Sequence, residues 1–138
     1  MTHWLLLTLI ALVFWGATGV TQKRSTNNIS AQLSFLGFGL AFIPVAIVIF
    51  VVMPVDLPVT AEVLALGAVG GVLNGLGTLS SFAAFEAGGK ASVVVPVIYL
   101  YPLVTVLGAR FFLNEQLSPA HWLGILLAPV AAWLLTRE

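Results

Sequence analysis

The chain has 138 residues, of which 60% are hydrophobic and only 7% are charged, with five basic and five acidic side chains. A soluble domain carries about 25% charged residues, so this composition excludes a water-solvated globule and indicates a protein that lies mostly in lipid. The zero net charge offers no basic surface for nucleic acid, and the absence of cysteine excludes disulfides and thiolate metal sites.

Five apolar stretches are each long enough to cross a bilayer, which takes roughly 17–25 residues in a helix. Barrel strands need only about 10 residues per crossing, so these lengths predict helices that satisfy their own backbone amides. The spans are predicted at residues 4–20, 33–55, 61–87, 91–113 and 119–136. Together they predict an all-α membrane protein, a single transmembrane domain over residues 1–138, with its termini on opposite sides of the membrane.

The first span carries an unusually deep tryptophan. Trp15 either lines a substrate cavity or packs against glycines of the third span. No Lys or Arg precedes this stretch, which favours a retained span over a cleaved signal peptide, the alternative reading. The hydrophilic segment 21–30 that follows is predicted to be a loop.

The basic side chains predict the orientation of the chain. Lys23, Arg24, Lys90 and Arg137 fall on one side of the membrane, and Arg110 falls on the other. The positive-inside rule therefore places the N-terminus outside and the C-terminus in the cytoplasm. Insertion in both orientations stays open as an alternative, because moving a few cations would weaken this bias.

One face of the third span is small and polar. On a helical wheel, one arc of about 120° contains Gly67, Gly71, Asn74, Gly75, Thr78, Ser81 and Phe85. Gly67, Gly71 and Gly75 form a double small-xxx-small ridge, which predicts close helix packing. A mid-membrane carboxamide must find a partner or water, so Asn74 either bonds a neighbouring helix or faces a wet cavity.

The fourth span contains two prolines. Pro96 and Pro102 each remove an amide donor, so we expect the helix to kink there. Broken helices at membrane depth occur where protein or a water-filled cavity covers them, which makes this segment a candidate cavity wall. Tyr99 and Tyr101 lie between the prolines and add hydroxyl groups.

The charged residues give little indication of mechanism, because none lies at the centre of a span. Glu86, one position beyond the polar face, is the candidate for a proton-coupling carboxylate, with a solvated helix end as the alternative. His3 and His121 are far apart in sequence, and no nucleophile motif is present. We therefore predict no enzyme, no metal site and no cofactor.

Two stretches resemble the EamA-like repeat of the drug/metabolite transporter superfamily. The opening Phe14-Trp15-Gly16 is similar to the family's W-G pattern, and the closing run reads PLVTVLGARFFLNEQLSPAHWLG over residues 102–124. The family's recurrent positions are occupied there by Pro102, Gly108, Glu115, Leu117 and Gly124. The resemblance extends over essentially the whole chain and implies one five-helix half of a ten-helix, inverted-repeat transporter. A membrane-embedded glutamate in the first span, found in the related small multidrug resistance proteins, is absent here.

The resemblance implies a permease subunit of a bacterial inner membrane that moves a small metabolite or amphiphile by alternating access. Its partner would be an oppositely inserted copy or a half-sized paralogue, and the substrate cavity would be lined by Trp15, Asn74, Thr78, Ser81, Phe85, Tyr99 and Tyr101. Two alternatives stay open. One is a non-transporting membrane scaffold or accessory subunit, and the other is a flippase for lipid-linked headgroups.

Overall fold

The structure is a computed structural model that describes residues 3–54 and 60–137. Of these residues 84% are helical and none forms a strand. Within these two ranges, seven helices make up five segments that are long and apolar enough to cross a membrane. The chain divides into two compact units, residues 1–88 and 89–138, and each is described by itself.

The first span is the single helix α1, His3–Thr26. It is longer than predicted, because residues 21–26, expected in a loop, continue the helix and only residues 27–30 connect it to the next one. Lys23 and Arg24 therefore lie in the last turn of α1. Cations are favourable at that position because the C-terminal end of a helix carries partial negative charge.

The second span is divided into α2, Ala31–Leu40, and α3, Phe42–Val52. Ser30 caps α2, and its hydroxyl accepts the Leu33 amide at 3.3 Å. The break at Ala41 is explained by Pro44, which has no N–H for the carbonyl four residues earlier and whose ring clashes with it. Residue 55, the predicted end of this span, lies outside the described residues.

The third span is one uninterrupted helix, α4, Ala61–Glu86. Thr60 caps its start by accepting the Val63 amide at 3.3 Å. Gly88 ends it with φ +98°, a backbone conformation that glycine adopts without a steric penalty. In the first unit α4 packs against α2 and α1.

The fourth span is interrupted between its two prolines, into α5, Ala91–Ile98, and α6, Tyr101–Phe112. Pro102 cannot donate to the Ile98 carbonyl, so the chain forms tighter turns there, with hydrogen bonds that span three residues instead of four. The Leu100 amide bonds Val97 three residues back at 3.1 Å, and the Leu103 amide restarts the next helix on Leu100 at 2.9 Å.

The fifth span is α7, Pro119–Thr136, which packs against α5 in the second unit. Ser118 and His121 form a reciprocal capping box at its start, with Pro119 in the first turn. Asn114 has φ 55°, and this turn lets the Glu115 amide bond the Ala109 carbonyl at 3.2 Å. At the other end of α7 the Arg137 guanidinium lies 3.7 Å from the centroid of the Trp133 ring.

Candidate functional site

The small polar face of α4 divides into an exposed part and a buried part. Thr78, Ser81 and Phe85, in the last three turns, are buried in the first unit. Asn74 is exposed, and among the described residues its carboxamide has no hydrogen-bond partner. It lies thirteen residues after Ala61 and twelve before Glu86, so it is about 20 Å from either end of the helix. The buried part is therefore already used for packing within the unit, whereas Asn74 is not.

The predicted glycine ridge is also only partly used inside the first unit. A Cβ atom placed at Gly75 would lie 3.8 Å from the Phe35 ring, which shows that α2 approaches α4 there. No described atom lies within 4 Å of a Cβ placed at Gly67 or Gly71. The role of these two glycines in helix packing stays a prediction, and no described residue of the first unit packs against them.

The C-terminal end of α4 is tied to α1. The Lys23 ammonium donates to the Phe85 carbonyl at 3.0 Å, and the Gly88 amide donates to the same oxygen at 3.1 Å. A carbonyl in the last turn of a helix has no intrahelical partner, so these two donors satisfy it. Phe85 itself is 1% exposed. Its side chain therefore belongs to the core of the first unit, and its place in a substrate cavity stays a prediction.

Glu86 is tied to α2. Its Oε2 accepts the Ala31 amide, the first of α2, at 3.1 Å. A carboxylate is stabilising at the N-terminal end of a helix, because the unpaired amides there carry partial positive charge. This contact gives the candidate coupling carboxylate a structural role in joining α4 to α2.

A cleft of about 240 Å³ lies beside these contacts, and we call it the first-unit cleft. It is lined by Thr21, Gln22, Ser25, Ile29, Leu33, Ser34, Gly37, Phe38 and Phe82. The Ser25 hydroxyl donates to the Ser34 hydroxyl at 2.7 Å, and the Phe38 and Phe82 rings meet edge to face with centroids 5.9 Å apart. None of the seven residues predicted to line the substrate cavity lines this cleft.

The remaining predicted cavity residues are distributed over both units. Trp15, on α1, is 43% exposed. In the second unit, Tyr99 lies in the break of the fourth span and Tyr101 begins α6, and their ring centroids are 6.1 Å apart. Tyr99 is half-buried and Tyr101 is exposed. A single cavity that contains residues of both units therefore stays a prediction.

The first-unit cleft was not predicted, because most of its lining comes from residues assigned to a loop and from the start of the second span. The available signal was the polar run at residues 21–25, which continues α1 and from which Thr21, Gln22 and Ser25 line the cleft. Across the described ranges, 3–54 and 60–137, no group of three His, Cys, Asp or Glu side chains could hold a metal ion.

Five apolar spans in the described part of the chain, of which the second and fourth are each interrupted, define a multi-pass, α-helical membrane protein. The model of the EamA-like transporter family matches residues 2–137, and the chain belongs to this family. The family suggests a membrane transporter of the drug/metabolite type, and its members are transporters and not enzymes. No curated protein and no solved structure matched the chain.

Proposed function

We propose that this chain is a permease subunit that moves a small metabolite or amphiphile by alternating access, with the substrate cavity between two inverted five-helix units. The observation that carries the proposal is Asn74. An unpaired carboxamide about 20 Å from both ends of a membrane-spanning helix loses its hydrogen bonds with water if lipid surrounds it. A partner helix or a wet cavity restores them, and a two-unit carrier supplies both.

Two further features support this proposal. Gly67 and Gly71 form an open, small-residue surface beside Asn74, which suits close approach of another helix in lipid. The fourth span is interrupted at Tyr99 and Leu100, and interrupted spans are favoured around transporter binding sites because they free backbone groups for a substrate. The lining of this cavity is proposed to be Trp15, Asn74, Thr78, Ser81, Phe85, Tyr99 and Tyr101. Of these, Trp15, Asn74 and Tyr101 are exposed, Tyr99 is half-buried, and Thr78, Ser81 and Phe85 are buried in the first unit.

The test of the transport proposal is substrate flux in proteoliposomes at equal protein levels. Asn74→Leu and Tyr99→Leu should each reduce flux at least tenfold if these side chains contact the solute, whereas Leu73→Ala, on the opposite face of α4, should keep it within about twofold. Unchanged flux in both polar variants would eliminate this site. A chain that co-purifies with a dissimilar protein and never transports would indicate the scaffold function instead.

The partner is proposed to be either an oppositely inserted copy or a half-sized paralogue, in a bacterial inner membrane with the N-terminus outside. Because the chain has no cysteine, single-cysteine labelling tests this cleanly. We expect a membrane-impermeant maleimide on intact cells to label Gln116→Cys and not Asn27→Cys, if one orientation exists. Labelling of about half of each variant indicates an inverted homodimer, and labelling of Asn27→Cys alone contradicts the proposed orientation.

A further inference from the structure

The first-unit cleft has one polar portion and one apolar portion. Thr21, Gln22, Ser25 and Ser34 contribute the polar groups, and the other lining residues are apolar. Along α2, which begins at Ala31, Ser34 is about 5 Å into the helix and Phe38 about 10 Å. The cleft therefore runs from the polar end of the span toward its hydrocarbon region.

The polar groups of the cleft are not equally available. The Ser25 and Ser34 hydroxyls bond each other at 2.7 Å, and the Thr21 hydroxyl donates to the Thr18 carbonyl at 2.8 Å. The half-buried Gln22 carboxamide has no hydrogen-bond partner among the described residues. Gln22 therefore keeps two donors and one acceptor free at the edge of the cleft.

Among the described residues, no charged side chain lines the cleft. Lys23 donates to the Phe85 carbonyl, and Glu86 accepts the Ala31 amide, and neither of these side chains lines the cleft. A charged head group would lose its hydration there without a counter-charge, which is costly. The lining therefore favours an uncharged ligand that can exchange hydrogen bonds with a carboxamide.

We propose that the first-unit cleft binds an uncharged, single-chain amphiphile, whose hydroxylated head group bonds Gln22 and whose alkyl chain lies against Phe38 and Phe82. The volume of about 240 Å³ is below the range of about 300–1,000 Å³ for sites of drug-sized ligands, so it suits part of one chain and not a two-chain lipid. The site lies wholly within the first unit, and so it does not depend on the transport proposal.

The test uses the full chain in phosphatidylcholine nanodiscs and a monoacylglycerol with a photoreactive diazirine in its chain. Gly37 lines the cleft, and its surroundings are open, so Gly37→Leu fills the space without backbone strain. Gly39→Leu is the matched control, on the same helix, equally open and outside the cleft lining. We expect labelling of residues 33–38, a loss of at least tenfold in Gly37→Leu, and a change within about twofold in Gly39→Leu.

A second pair of variants keeps the proposal testable if Gly37→Leu does not fold. Gln22→Leu should weaken the monoacylglycerol about three- to tenfold through the lost hydrogen bond, whereas Gln32→Leu, outside the cleft, should not change it. Labelling unaffected by Gly37→Leu or by Gln22→Leu overturns the site. Unlabelled competitors then test the ligand class. If a fatty-acid anion competes with the photoreactive probe more strongly than unlabelled monoacylglycerol does, the ligand is not uncharged. If glycerol competes as well as monoacylglycerol, the site does not require an alkyl chain.

Discussion

Replacing Glu86 distinguishes a structural carboxylate from a coupling carboxylate. In the structure Glu86 Oε2 accepts the first amide of α2, from Ala31, at 3.1 Å, while Ser30 satisfies the Leu33 amide in the same turn. Glu86→Ala leaves the Ala31 amide without its protein partner and removes the negative charge from the N-terminal end of α2. Glu86→Gln keeps an oxygen acceptor and removes only the charge.

The two variants should differ in their free energies of unfolding. Loss of a helix N-terminal side-chain acceptor costs about 0.5–2 kcal/mol, and loss of a charge at a helix end costs about 0.3–1 kcal/mol at an exposed position. Because Glu86 is exposed, we expect about 1 kcal/mol of destabilisation in Glu86→Ala and about 0.5 kcal/mol in Glu86→Gln.

The assay is reversible unfolding in mixed micelles, followed by flux measurement in proteoliposomes. Glu115→Ala is the matched control, because this exposed side chain makes no hydrogen bond within the described chain and its backbone amide is kept. If Glu86→Ala is as stable as Glu115→Ala, the joining role is wrong. If Glu86→Gln keeps its stability but loses all proton-driven flux, the carboxylate couples transport and its structural role is secondary.

Two further substitutions test packing and backbone geometry. Phe82 is 2% exposed, and a Phe→Ala change costs about 3–5 kcal/mol in a soluble core. Lipid replaces water as the solvent here, so the part of this cost that comes from transfer out of water is lost, and Phe82→Ala should lower the free energy of unfolding by about 1–3 kcal/mol. The control Phe111→Ala, at a side chain that is 76% exposed, should lower it by less than about 0.5 kcal/mol. Equal losses in the two variants would contradict this core. Gly88→Ala places a Cβ at φ +98° and should lower the free energy of unfolding by about 1–2 kcal/mol. Gly124→Ala, in open helical surroundings, should be neutral or stabilising. If Gly88→Ala is also neutral, the turn relaxes without strain and this reasoning is wrong.

The five spans could be predicted because long apolar stretches identify membrane helices regardless of their neighbours. Helix ends were less predictable. Residues 21–26 look like a loop by polarity, yet they continue α1, where Lys23 reaches the C-terminal end of α4. The break at Ala41 follows from Pro44, a local signal that long apolar stretches conceal.

The candidate site was less predictable than the fold, for a physical reason. A helical wheel identifies residues that share one face of one helix, as it did for Asn74 and Thr78. It does not show which part of that face a neighbouring helix covers, and here α1 and α2 cover the half near Phe85. The first-unit cleft arises from Ser25 and Ser34, which a short turn brings together, and no periodicity within one span predicts that meeting.

The hydrogen bonds that tie α1 and α2 to α4 have a consequence for biogenesis. The Lys23 ammonium donates to the Phe85 carbonyl and the Ala31 amide donates to the Glu86 carboxylate, so both hydrogen bonds join parts of the chain that are synthesised before residue 89. Protein chains tend to acquire structure from the N-terminal side during translation. Three membrane crossings can therefore associate beside the translocon while the ribosome is still producing the last two.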